Sequence, residues 1–117
     1  MALQGYPAAD SDRTNSRVAH TADHFQPAVL RTIHAVAQAA RNAGIRVDVC
    51  GEMAADPLAT PILLGLGVEE LSMSPPLIAE IKRTVARWSI ADAQALTREA
   101  LHAESSDAVR RLLSAAH

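Results

Sequence analysis

The sequence predicts an α/β fold that is mostly helical, with about five helices around two short parallel strands. Three observations carry this expectation. Apolar residues recur at helical spacing over 27–43 and again in later stretches. Residues 45–50 alternate apolar and polar and are β-branched, and 68–73 hold a second short strand candidate. One helix-sized segment joins the two with short connections, and such a unit pairs its strands in parallel.

Taken in order, residues 1–24 are rich in Ala, Asp, Ser, Thr and His without a sustained apolar period. They are expected to be a loop segment ahead of a folded unit over 25–117. Pro27 suits a first helical turn, where its missing N–H costs nothing, and Gly44 suits a C-terminal cap. With Val29, Ile33, Val36, Ala37 and Ala40 between them, they predict a helix over 27–43. A strand follows over 45–50, ended by Gly51. Asp56 before Pro57 predicts the start of a helix over 57–66, closed by Gly65 and Gly67. After the strand ending at Met73, Pro75 and Pro76 open a third helix that runs to Trp88. Ser89 caps a fourth over 90–102, with Ala95, Leu96, Ala100 and Leu101 as its apolar stripe. Ser106 is expected to cap the last, with Val109, Leu112 and Leu113 inward. Two short parallel strands are not a stable sheet alone, because such sheets are usually covered on both faces.

Composition narrows the function. A chain of 117 residues that is 49% hydrophobic is too apolar for disorder. No apolar run approaches the roughly 18–20 residues of a membrane span. A net charge of −2 lacks the basic excess of a nucleic-acid binder. The single cysteine excludes an internal disulfide and a thiolate metal cage. With no basic-then-apolar start, it fits a cytoplasmic protein. Alanine dominates the apolar residues and only Tyr6, Phe25 and Trp88 are aromatic, so the core is expected to be thin.

The stretch V-C-G-E-M-A-A-D-P at 49–57 and the run P-I-L-L-G-L-G-V-E-E-L-S-M-S-P-P at 61–76 are the informative motifs. With D-R-T-N at 12–15 and H-x-x-x-x-x-Q-P-A-V-L at 20–30, they resemble the phosphoenolpyruvate-utilising enzymes. Within that group the likeness is to the C-terminal, phosphoenolpyruvate-binding domain of enzyme I of the bacterial sugar phosphotransferase system. It covers residues from about 12 to the C-terminus.

The resemblance implies the C-terminal part of a (β/α)8 barrel, with phosphoenolpyruvate and Mg²⁺ at the C-terminal ends of the strands. It implies that Cys50 is the catalytic thiol, which moves a proton at the methylene carbon of the three-carbon unit. A thiol suits that task because its acidity can be tuned toward neutrality. It implies that Arg13 contacts the phosphate or carboxylate of the substrate, where a planar, permanent charge fits. Gly51 lets the backbone turn beside the substrate, and Glu52 supports the turn. The sequence departs from the family where a G-T-N-D segment should bind phosphate and metal: an ungapped count puts its Asn and Asp on Ala2 and Leu3. No metal ligand is therefore assigned. A complete barrel needs about 250 residues, so the chain is expected to be a truncated domain, inactive alone and binding phosphoenolpyruvate weakly or not at all.

Plainer expectations stand beside these. Without its motif, a lone cysteine after a strand is a small buried residue, and Arg13 is a solvated loop arginine. His20 and His24 lack an evident third ligand and read as ordinary surface histidines. Met53 and Met73 fill packing gaps, Leu63, Leu64 and Leu66 are core, and Glu69, Glu70 and the charges of 80–87 are solvated. The alternative function is a non-catalytic module that pairs with itself or with a full-length relative. A stand-alone thiol enzyme is weaker, because no second cysteine can resolve an oxidised thiol.

Overall fold

Parallel strand pairing organises the chain. In the computed structural model, which describes residues 2–5 and 23–117, β1 (Ala2–Gly5), β2 (Asp48–Cys50) and β3 (Glu70–Met73) form one sheet in the order β1-β3-β2. Both pairings are parallel, and Cys50 is in register with Ser72. The helices are α1 (Pro27–Ala43), α2 (Thr60–Leu66), α3 (Pro75–Ala86), α4 (Ile90–Leu101) and α5 (Ser106–Ala116). The five helices and the parallel β2–α2–β3 unit match the sequence reading. The third strand corrects it, because residues 2–5 are a strand and not part of a loop. In a (β/α)8 barrel consecutive strands are neighbours; here β3 lies between β1 and β2.

The helix ends explain where the strands begin. Gly44 takes φ 73°, its N–H reaches the Arg41 carbonyl at 3.2 Å, and the Ile45 N–H reaches Ala40 at 2.8 Å. This is a Schellman motif. It consumes Ile45, leaving that side chain exposed, and delays the strand from the expected 45 to Asp48. Gly67 (φ 90°) and Val68 repeat the motif on Leu64 and Leu63, so β3 starts at Glu70 and not at 68.

Other boundaries shift for local reasons. Asp56 caps only a short turn, with Oδ1 accepting from the Leu58 N–H at 3.0 Å, and α2 begins at Thr60 instead of 57. Gly65 does not close α2. It lies inside it, where a Cβ would sit 2.0 Å from Thr97 Oγ1, so its missing side chain lets α2 press onto α4. Helix α3 stops at Ala86, short of Trp88. The Ser89 hydroxyl does cap α4, accepting from the Asp92 N–H at 3.0 Å. The cap of α5 is Ser105, which accepts from Ala108, and not Ser106.

The core lies between one face of the sheet and the helices. Val49 and Leu71 point into it and meet Phe25, Leu30, Met53, Ile62, Leu63, Ile81, Val109 and Leu113. On α4 the buried stripe is Ala93, Leu96, Thr97 and Ala100; Ala95 is exposed, contrary to expectation. Arg110 lies 4.7 Å above the Phe25 ring and 3.1 Å from Asp23, which fastens α5 to the start of α1. At its other end α5 carries His117, whose Nε2 donates to the Pro57 carbonyl at 3.1 Å and whose ring is 5.9 Å from Trp88.

Candidate functional site

Strand alternation separates two kinds of residue. Val49 and Leu71 take the core face, so Asp48, Cys50, Glu70 and Ser72 share the other. That face is polar, which is unusual for a parallel sheet. Cys50 ends β2 on the edge where all three strands terminate, beside Ser72, Met73 and the start of α3. Its thiol is free and buried, 8% exposed.

Hydrogen bonds fix the surroundings of Cys50. The Ser72 hydroxyl lies 2.9 and 3.0 Å from the two carboxylate oxygens of Asp48, so it spans the strands one pleat below Cys50. Burial raises the Asp48 carboxyl above its ordinary value; the Ser72 hydroxyl opposes the rise and the charge of Glu70 adds to it. Arg46 stands 3.8 Å from Glu70, largely in solvent.

After Cys50 the backbone turns at Gly51, with φ 90°, a conformation that favours glycine. Met53 and Ala54 then plunge into the core, both fully buried. Successive turns close from Ala55 to Glu52 and from Asp56 to Met53, each at 3.2 Å. Asp56 anchors the far end of this loop, with Oδ2 3.1 Å from His24 Nε2. Burial alone would raise the Asp56 carboxyl, but His24 and the Leu58 N–H outweigh it and hold it below its ordinary 3.8.

The residues singled out from sequence fall unevenly. Cys50 stands at the C-terminal end of its strand. Arg13 and His20 lie outside the described residues. His24 is not a surface histidine: its side chain is 14% exposed and bonded to Asp56. Glu69 is exposed, whereas Glu70 is half-buried. Met53, Met73, Leu63, Leu64 and Leu66 are core as expected. Sequence reading missed Asp48 and Ser72; alternation places Asp48 on the face of Cys50, and only the strand register reveals Ser72 as its partner.

No group of three His, Cys, Asp or Glu converges among the described residues. Asp48 is turned to Ser72, and Asp56 is committed to His24 and Leu58. No described helix is long and apolar enough to cross a membrane.

Residues 5–90 match the family described as PEP-utilising enzyme, PEP-binding domain. A phosphoenolpyruvate-protein phosphotransferase of Haloferax volcanii is 42% identical over 104 residues, covering 89% of this chain and 18% of the relative. One of Bacillus subtilis is 38% identical over 99 residues, 85% of this chain and 17% of the relative. A phosphoenolpyruvate-dependent phosphotransferase system protein of Salmonella typhimurium is 40% identical over 104 residues, 89% of this chain and 14% of the relative. The chain thus spans less than a fifth of the length of these relatives.

Proposed function

The chain belongs to the PEP-utilising enzyme, PEP-binding domain family, and from that membership we propose that it carries the proton-transfer end of a phosphoenolpyruvate site in a sugar phosphotransferase system. Cys50 is the acid–base thiol and Arg13 an anion contact. The observation that supports this best is the place of Cys50. It closes a parallel strand on a polar sheet face and is followed by a turn whose glycine has a positive φ. When a phosphoryl group leaves phosphoenolpyruvate, the enolate that remains needs a proton at its methylene carbon. The Cys50 S–H bond breaks, a C–H bond forms, and pyruvate and a thiolate result. In the reverse direction the thiolate takes that proton back.

Phosphoryl transfer itself depends on cations that stabilise the charge on the moving group. Among the described residues no group of metal-ligating side chains converges; on our reading this segment by itself binds phosphoenolpyruvate weakly, and transfer needs cations brought by the rest of a longer enzyme. In a barrel, β2, α2 and β3 would supply two neighbouring strands and their crossover, and the Mg²⁺ ligands would come from other strands. Calorimetry with phosphoenolpyruvate and Mg²⁺ tests this: no binding tighter than about millimolar is expected, and micromolar binding sinks it. Joined behind the upstream part of the Haloferax relative, the segment is expected to support phosphoenolpyruvate-dependent phosphorylation and to lose it as C50A. A fully active C50A chimera overturns the role of Cys50.

A second reading, a non-catalytic module that pairs with a copy or a longer relative, rests on the sheet edges. Among the described residues β1 and β2 each leave one side unpaired, and open edges invite pairing. Light scattering separates the two, since a strict monomer removes this reading.

A further inference from the structure

We propose that the cleft between α1 and α4, floored by the C-terminal turn of α2, binds a small doubly charged oxyanion: a phosphate ester or a dicarboxylate. His34, Gln38 and Arg41 follow one another at helical spacing on α1, and Gln94 and Arg98 do so on α4. The two stripes face a cavity of about 490 Å³, a size that holds a small ligand.

The lining is cationic and neutral, with no Asp or Glu. Two arginines share it, and among the described residues neither has a carboxylate partner, whereas Arg46 faces Glu70 and Arg110 pairs with Asp23. A dianion seated there would take charge-assisted hydrogen bonds from them. The Arg41 guanidinium lies against the end of α2, with Nη2 2.7 Å from where a Cβ on Gly67 would be. His34 Nδ1 is the buried side-chain nitrogen left without a hydrogen-bond partner among the described residues. The side-chain amides of Gln38 and Gln94 supply neutral donors. None of these residues belongs to the Cys50 site, so the proposal stands apart from the function assigned to that thiol.

The ¹⁵N-labelled chain, titrated at constant ionic strength with inorganic phosphate and separately with succinate, tests it. Saturable shifts are expected at Gln38, Arg41, Gly67 and Arg98, with a dissociation constant of about 1 mM. R41Q and R98Q are each expected to weaken binding roughly tenfold. R83Q, which removes an exposed charge on α3, is expected to leave it unchanged, and the spectra report folding in every case. A response to phosphate alone assigns phosphate esters, one to succinate alone assigns dicarboxylates, and one to both assigns dianions at large. No saturable shift with either probe, or equal weakening by R83Q and R41Q, overturns the site.

Discussion

His24 and Asp56, 32 residues apart, meet at 3.1 Å between Nε2 and Oδ2 and tie the segment before α1 to the far end of the Cys50 loop. The contact is half-buried, and Asp56 also accepts from the Leu58 N–H. D56A therefore leaves two donors unmatched and is expected to cost about 1–3 kcal/mol in urea unfolding. The folded chain holds Asp56 below its ordinary 3.8. Its contribution is thus full above that value and is lost as pH falls through the lower folded one. The gap between wild type and D56A should be wide at neutral pH and narrow in acid; a gap that widens in acid contradicts the assignment.

The opposite sign belongs to Asp48. Burial raises its folded value above the unfolded one, so its stabilising share is present below the ordinary carboxyl range and disappears as pH rises through the folded value. D48N keeps an oxygen for Ser72 and removes the ionisation. It is expected to be neutral or stabilising at neutral pH, with no advantage in acid. A clear loss of stability at neutral pH would disprove this.

Gly65 is fixed by contact and not by backbone angle. G65A gains helix propensity of up to about 1 kcal/mol. Against this, its methyl would meet Thr97 Oγ1 at 2.0 Å and the Ala93 carbonyl at 2.5 Å. Prising α2 from α4 is expected to cost about 1–3 kcal/mol net, read as a lower melting temperature. An unchanged or higher one would show that the helices separate freely.

Capping hydroxyls act one helix at a time. S89A and S105A each remove an acceptor from a backbone N–H, of Asp92 and Ala108. Each is expected to cost about 1 kcal/mol, and the two losses should add, because the caps serve different helices.

Cys50 gives a measure of local opening. At 8% exposure its thiol should react slowly with an alkylating reagent in buffer and quickly in denaturant. D56A is expected to accelerate the native reaction, because the loop loses its anchor. Equal rates with and without denaturant would show that the thiol is not enclosed.

Much of the architecture can be read from residue type. Helix α1 is legible end to end because Pro27 and Gly44 mark both boundaries with backbone chemistry. Strand β1 is not, since Ala-Leu-Gln-Gly has no β-branched residue and is a strand only through pairing with β3. Thr97 joins the core against polarity, because its hydroxyl finds the Ile62 carbonyl at 3.4 Å. Ser105 and Ser106 are equally good caps by type, and only the geometry of the turn chooses between them. In the candidate site, Cys50 is legible from its motif. The Ser72–Asp48 and His24–Asp56 contacts are not, because each depends on a register or a packing set by the whole chain.

The tilted contact between the Trp88 and His117 rings gives the chain an optical reporter. Trp88 is its single tryptophan, and His117 also holds the Pro57 carbonyl behind the Cys50 loop. Indole emission therefore senses whether His117 is docked, so loosening of the loop can be followed by fluorescence without a label.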